Sequence, residues 1–210
     1  MTPRPPDHLL DELTVARLLQ DWGLWRDTGQ WALLRAAYAP DAWMRTTWFD
    51  GPAMAFVDAS IALWGKGAMA QHFIGPSTVQ VKGDRAIAET RVMLLLRDQV
   101  QGVAVDVSCF GRFIDRLLRI DGQWRLLHRV PIYEKDVLTP VDPAQTPSLD
   151  RAALAAFPSG YRHVAYLQSQ AGAQIVRDLP GHNSEAQHLL YASTAAWLRE
   201  GRGTVEGDTR

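Results

Sequence analysis

Val15, Leu18, Leu19 and Trp22 recur at helical spacing, and this pattern predicts an amphipathic helix over residues 8 to 28. Pro5-Pro6-Asp7 is a suitable entry, because Asp7 can cap exposed amides while Asp11 and Glu12 lie near the positive end of the helix dipole. Gly29 supplies the stop. A second, short helix is expected over Gln30 to Tyr38, with Trp31, Leu34 and Tyr38 on one side and Pro40 ending it. Asp41 to Phe49 reads as extended, since Trp43, Thr46, Thr47 and Trp48 favour strands, and Asp50-Gly51-Pro52 reads as a turn. Helix formers return from Ala53 to Trp64, and the helical run carries through Gly65 and Gly67 to Ala70. Ser77 to Lys82 is strand-like, which puts His72 at a helix-to-strand junction.

The period then changes from helical to alternating. Ala86, Ala88, Thr90, Val92, Leu94 and Leu96 alternate with Arg85, Glu89, Arg91 and Arg97, as in a strand with one buried face. Val103, Val105, Val107, Cys109, Gly111 and Phe113 repeat the pattern opposite Asp106, Ser108 and Arg112. Asp121-Gly122 marks a hairpin into Gln123 to Tyr133, where Trp124, Leu126, His128 and Val130 share one face and Arg125, Leu127, Arg129 and Tyr133 the other. Periodicity alone does not decide which of these two faces is inside. The order of elements indicates an α+β domain with helices packed on one face of a strongly curved, mostly antiparallel sheet. This domain is expected over residues 1–137. A proline-punctuated linker follows over 138–149, then a helical extension over 150–210. In the extension, Asp150 to Phe157, Tyr161 to Gly172 and Ser184 to Arg199 look helical, and Gly201 to Arg210 looks frayed.

Composition narrows the function classes. The 210 residues carry a net charge of -1 with both signs interspersed, which gives no electrostatic footprint for nucleic acid or anionic lipid. No stretch reaches the length of apolar sequence that a membrane span requires, and the first residues lack a signal peptide's apolar core, so a cytoplasmic location is the expectation. The single cysteine, Cys109, excludes an intramolecular disulfide and reads as a small buried hydrophobe. Eight tryptophans are many for this length, and seven of them precede residue 130. Each alone is explained by core packing, but together they favour an apolar pocket. The histidines show no carboxylate-bearing metal pattern, and phosphate loops and nucleophile elbows are absent, so no metal or redox cofactor is expected.

The candidate chemistry rests on His72 and Asp27. An imidazole facing a cavity, with a carboxylate to hold it, is the minimal apparatus for abstracting a proton near neutral pH. An alternative for Asp27 is to cap the loop at Thr28-Gly29. Four local patterns occur in order over about 130 residues: Asp27-Thr28-Gly29, Tyr38-Ala39-Pro40-Asp41-Ala42-Trp43, Gly51-Pro52 opening a helix, and Asp121-Gly122-Gln123-Trp124 before a strand with Arg129. In this arrangement residues 8 to 135 resemble the nuclear transport factor 2-like superfamily. Its cone-shaped α+β barrel is shared by polyketide cyclases, scytalone dehydratase, ketosteroid isomerase and hexachlorocyclohexane dehydrochlorinase, and the nearest likeness is to the SnoaL-like branch.

The resemblance implies that His72 is the general base, that Asp27 orients it, and that Arg129 stabilises a developing anion. Pairing of Arg129 with Asp106 or Glu134 on the sheet exterior is the alternative. Trp22 stands where several relatives place a Tyr or Lys that assists departure of the leaving group. The pocket is expected to draw on Trp22, Met44, Trp48, Phe56, Trp64, Cys109 and Phe113. The activity expected is that of a cofactor-independent lyase, which removes water, halide or formaldehyde from a small hydrophobic aromatic or alicyclic substrate, including lignin-derived diaryl compounds. An isomerase or cyclase of a polyketide- or steroid-like substrate and a non-catalytic binding or assembly module are the alternatives. Relatives associate through the convex sheet face, so a homodimer or homotrimer is expected.

Overall fold

The computed structural model describes residues 6–67 and 70–201. The Asp7 cap and the tail beyond Gly201 lie outside the described side chains and residues. Helix α1 runs Pro6–Asp27 and ends as expected, with Gly29 at φ +72 and the Gln30 amide bonded back to the Trp25 carbonyl at 2.9 Å. Its buried stripe is Val15, Leu19 and Trp22. Helix α2 is shorter than expected, Trp31–Ala36, because β1 (Tyr38–Arg45) begins two residues before Pro40. Pro40 has no N–H to give a ladder, and it falls at the irregularity between Tyr38 and Trp43 where β1 meets β6. Asp50-Gly51-Pro52, expected as a turn, is a short strand β2 paired antiparallel with Trp43–Arg45. Helix α3 spans Ala53–Gly65.

Four long strands follow: β3 Ala70–Lys82, β4 Arg85–Val100, β5 Val103–Ile120 and β6 Gln123–Pro140. The sheet order is β2-β1-β6-β5-β4-β3, with β1 parallel to β6 and every other pair antiparallel. Strand β3 starts well before Ser77 because the turn-like Gly75-Pro76 sits in a register shift between Ile74 and Ser77 and does not end the strand. His72 is therefore the third residue of β3, inside the sheet and not at its edge of entry. Strand β6 also overruns its expected end. Leu138, Thr139 and Pro140 pair with Val107, Asp106 and Val105, so the proline-punctuated segment starts three residues later than the sequence suggests.

The ambiguity of the two β6 faces resolves through an extra residue. His128 pairs with Arg116 but Leu126 pairs with Leu117, so Leu127 is an insertion that reverses the phase of the strand. Arg129 consequently joins Leu126 and Trp124 on the inner face, opposite Asp115, while His128, Val130 and Ile132 point outward. Both faces of this stretch are covered. Inside, α1 and α3 bury Val15, Leu19, Trp22, Phe56 and Val57 against Ala86, Ala88, Phe113, Leu117 and Leu126.

The C-terminal extension forms α4 (Arg151–Ala155), α5 (Arg162–Gln170) and α6 (Glu185–Glu200), close to the expected bounds. Asp150 caps α4 and Ser184 caps α6 through side-chain bonds to backbone amides. Helix α5 packs on the inner face, over Val105, Val107, Cys109 and Tyr133, and α6 covers Ile114, Val130 and Ile132 on the outer face. One inner-face anchor ties α1 to the β5–β6 hairpin: Asp11 accepts from Arg119 at 2.5 Å and from Trp124 at 3.0 Å. Burial works against the Asp11 carboxylate, but those two donors hold its carboxyl below the usual range.

Gly111 marks the second β6 irregularity, pairing with Tyr133 while Phe110 pairs with Lys135. A Cβ there would run into the carbonyl oxygen of Ile132. Gly111→Ala is expected to destabilise the protein by about 1–3 kcal/mol in urea unfolding. A variant that unfolds at the wild-type midpoint would show that this close approach does not constrain the sheet.

Candidate active site

Asp27 is the last residue of α1, and its carboxylate faces β3. One oxygen, Oδ2, accepts the backbone N–H of His72 at 2.6 Å, and the other, Oδ1, lies 2.7 Å from His72 Nδ1. A carboxylate can only accept, so Nδ1 carries a proton, and in the neutral ring Nε2 is left with its lone pair. The side chains are 12% and 15% exposed for His72 and Asp27, shielded yet within reach of a small molecule. The loop-capping alternative for Asp27 is not what the structure shows: the Thr28 amide bonds to the Leu24 carbonyl at 2.9 Å, and both Asp27 oxygens engage His72.

Trp22 links this dyad to the rest of the inner face. Its ring meets His72 edge-on at 5.5 Å between centroids, meets Phe113 edge-on at 5.8 Å and stacks on Phe56 at 6.5 Å. Its indole Nε1–H donates to the Tyr38 hydroxyl at 2.7 Å. The Arg129 guanidinium lies 4.2 Å from the Trp22 ring and 4.3 Å from the Phe113 ring. Arg129 is thus an inner residue, 1% exposed, and not an exterior partner of Asp106 or Glu134. Its Nε and Nη2 grip Asp115 at 2.7 and 2.9 Å, and its remaining nitrogen, Nη1, is buried without a hydrogen-bond partner among the described residues. Burial pushes the Asp115 carboxyl up, and the Arg129 charge pulls it back. Asp106 instead pairs with Arg97, while Glu134 meets Arg91 and Arg112.

The expected pocket residues divide. Trp22, Met44, Phe56 and Phe113 are buried together, and Trp48 packs against them at 5.7 Å from Phe56. Trp64 does not join them. It is 48% exposed and packs edge-on against Trp31, which lies over Gly29. Cys109 lies in the separate cluster beneath α5, where burial first and Asp136 second push its thiol pKa up, so it remains a neutral hydrophobe. A groove of about 360 Å³ lined by Phe73, Arg91, Met93, Phe110 and Lys135 lies on the opposite face of the sheet from His72. Among the described residues, no cluster of three or more His, Cys, Asp or Glu side chains could hold a metal ion. No described helix is long and apolar enough to cross a membrane.

Three residues join the site that the sequence reading did not select. The Tyr38 hydroxyl occupies the space at the tip of Trp22, and burial raises its pKa to about 12. Arg26 is 7% exposed, with its charge near Asp27 and Tyr38, and burial lowers its pKa against the pull of Asp27. Its signal was present, since positions 15, 19, 22 and 26 form one helical stripe and Arg26 is the charged member. Asp115 likewise follows Phe113 in the inward phase of β5, a charge where the alternation calls for an apolar residue.

With the geometry in place, comparison with known proteins is direct. Pea pathogenicity protein 2 of Fusarium vanettenii is 35% identical over 205 residues, covering 92% of this chain and 88% of that protein. A PEP2-like protein of the same fungus is 33% identical over the same coverage. Among solved structures, a provisionally named scytalone dehydratase from Novosphingobium aromaticivorans superposes with a TM-score of 0.52 at 15% identity, covering 69% of this chain and 96% of its own. A protein of unknown function from Mycobacterium tuberculosis superposes at 0.51 with 18% identity, covering 78% of this chain and 96% of its own. At these identities the likeness is one of fold. The SnoaL-like domain model matches residues 7–130, from the first turn of α1 into β6, and the chain belongs to that family, with its nuclear transport factor 2-like fold.

Proposed function

We propose that the protein is a cofactor-independent lyase in which His72 abstracts a proton from carbon. The single observation that carries this reading is the bidentate engagement of His72 by Asp27, at 2.6 Å to the backbone N–H and 2.7 Å to Nδ1. That arrangement fixes the tautomer, aims Nε2 away from the carboxylate and stabilises the imidazolium formed when Nε2 takes the proton. The electrons of the broken C–H bond form the new double bond, and the bond to the leaving group breaks on the adjacent carbon. Water or halide can leave in this way; in loss of formaldehyde the same base takes the hydroxyl proton instead, the C=O forms as the C–C bond breaks, and the C–C electrons pass to a conjugated acceptor in the substrate.

The surrounding residues supply the remaining requirements. Tyr38 accepts from Trp22 and gives its own proton to the Met44 thioether at 4.0 Å, a weak acceptor that an oxygen of the substrate would displace, so Tyr38 can fill the role of the Tyr or Lys that several relatives place at the Trp22 position. Arg129 acts less as a bare cation than as a donor, because Asp115 already offsets its charge, and the unpartnered Nη1 is the part available for hydrogen bonding. The aromatic wall of Trp22, Phe56, Phe113 and Trp48 selects small hydrophobic molecules, aromatic or alicyclic, and excludes water around the base. A structural neighbour named for scytalone dehydratase is compatible with this reading.

A screen of hydrophobic alcohols, halides and diaryl compounds with products identified by mass tests the reaction class. Loss of a small fragment supports a lyase, and a product of unchanged mass moves the reading to an isomerase. With a turned-over substrate, His72→Ala and Asp27→Asn are each expected to lower kcat by about 10²–10⁴-fold in protein that unfolding curves show to be folded at the assay temperature. Near-normal turnover in either variant contradicts the dyad. Tyr38→Phe is expected to lower kcat by about 10-fold or more. Burial keeps the Tyr38 hydroxyl protonated up to a pH of about 12, so the limbs of the pH–rate profile below that value should keep their positions in this variant. Disappearance of a limb in that range would assign it to Tyr38 and overturn the role as a neutral donor.

A further inference from the structure

Arg26 is a buried cation that no described side chain takes up. It is 7% exposed, and among the described residues no hydrogen bond or ion pair engages its guanidinium. The neighbouring acids are engaged elsewhere: Asp115 grips Arg129, and Asp21 and Asp58 pair with Arg17 and Arg35. Asp27 follows Arg26 in the chain and its charge favours the guanidinium, but both its oxygens accept from His72. Burial of a cation without acceptors is costly, and it drives the Arg26 pKa down. The last turn of α1 offsets part of that cost through the helix dipole but supplies no hydrogen bond. Unlike Arg129 Nη1, the Arg26 nitrogens are not sealed, and they keep some accessible surface.

Two adjacent rows of α1 place Arg26. In one row Gly23 and Asp27 face β3, where a Cβ at Gly23 would meet the Ile74 side chain at 2.6 Å and lie 3.5 Å from the His72 carbonyl oxygen. In the other row, one turn before Arg26, Trp22 meets His72 edge-on and donates to the Tyr38 hydroxyl. Residues four apart on a helix share a face, so Arg26 stands beside Trp22, between the dyad and Tyr38. The electrostatics agree with this placement. The Arg26 charge acts on Asp27 and on Tyr38, and Arg129 acts on the same Tyr38. The Tyr38 hydroxyl is therefore the shared neighbour of two arginines that both keep unused donors, the guanidinium of Arg26 and Nη1 of Arg129. Donors gathered in an apolar surround without an acceptor call for an acceptor from outside.

We propose that Arg26 is the specificity residue for a substrate carboxylate, so that the molecule offered to His72 is an aromatic or alicyclic acid and not a neutral compound. This rests on the reading of His72 as a base and adds the charge of its substrate. A guanidinium matches a carboxylate through two parallel N–H···O bonds, and the paired N–H groups of Arg26 are free among the described residues. Arg129 cannot offer the same pair, because its Nε and Nη2 are held by Asp115. In the apolar surround of Trp22 and Phe56 such an ion pair is stronger than in water. Arg26 takes no proton and forms no bond in the reaction. It selects the acid and orients the carbon beside the carboxylate toward Nε2.

Benzoate and benzamide, alike in size and shape but different in charge, are the probes, with dissociation constants measured by isothermal titration calorimetry on the full chain. The wild-type protein is expected to bind benzoate about 10-fold or more tightly than benzamide. Arg26→Met, which keeps the packing of the stem, is expected to lose that preference with its benzamide affinity unchanged, and Arg26→Lys to keep only part of it. His72→Gln is expected to keep the full preference. Unfolding curves identify the folded variants, and if Arg26→Met does not fold, a wild-type preference in Arg26→Lys overturns the inference. Equal affinities in the wild type, no measurable binding of benzoate, or a full preference in Arg26→Met also overturn it. These outcomes leave the His72 base untouched, since turnover in the His72 and Asp27 variants decides that reading. A preference lost in His72→Gln and kept in Arg26→Met places the carboxylate on the imidazole, which overturns the inference and counts against a neutral base.

Discussion

Both oxygens of Asp27 are occupied by one residue, and that residue is the candidate base. The contact joins the end of α1 to the third residue of β3, so it is at once a fold contact and a chemical one. α1 must reach the sheet with its final turn in register for the carboxylate to meet the His72 N–H at 2.6 Å and Nδ1 at 2.7 Å. The anchor of Asp11 to Arg119 and Trp124 fixes the beginning of the same helix against the β5–β6 hairpin. Between these two ends the apolar stripe of Val15, Leu19 and Trp22 is buried against the inner face of the open six-stranded sheet. The geometry of the dyad is thus inherited from helix packing, as a site built on rigid elements requires.

Charge on the inner face of the sheet is arranged in balanced or shielded units. Arg129 would be costly to bury alone, and Asp115 opposite it provides the bidentate partner that makes its burial tolerable. The aromatic rings of Trp22 and Phe113 cover the guanidinium from the other side. What remains for a ligand is hydrogen bonding from Nη1 and from the neutral Tyr38 hydroxyl, in an apolar surround where such bonds are strong. The C-terminal extension completes the structure on both faces, α5 over the inner face and α6 over Ile114, Val130 and Ile132 outside.

The sequence carried the fold class and most elements, because long period-two and helical patterns report burial directly. The bounds of α1, α5 and α6 came within a few residues, whereas the helical run expected from Ala53 to Ala70 ends at Gly65 and Ala70 already opens β3; the pairing of Asp27 with His72 followed from residue type and the family resemblance. Features that break periodicity were not legible. Gly75-Pro76 looks like a turn on composition, yet it is a bulge inside β3, and Pro40 looks like a helix stop, yet it sits in β1 at a register shift. The extra residue at Leu127 reverses the phase of β6, and only the pairing register reveals that Arg129 faces inward. Trp64 was assigned to the pocket for its residue type, and its exposure of 48% reflects the helix face on which it falls. Arg26 and Asp115 were legible in principle as charged residues at inward positions. A charge on a buried stripe is a stronger sign of a site than another aromatic, since it must have a partner or a task.

The central claim is that Asp27 holds His72 as the Nδ1–H tautomer with a basic Nε2. Nitrogen-15 NMR of histidine-labelled protein, recorded where the ring is uncharged, reads this state directly, with His72→Gln identifying the signals. The account predicts a protonated Nδ1 with a strongly downfield proton and an unprotonated Nε2, and loss of the downfield proton in Asp27→Asn. A His72 ring protonated at Nε2 in the wild-type protein, or signals unchanged by Asp27→Asn, would contradict it.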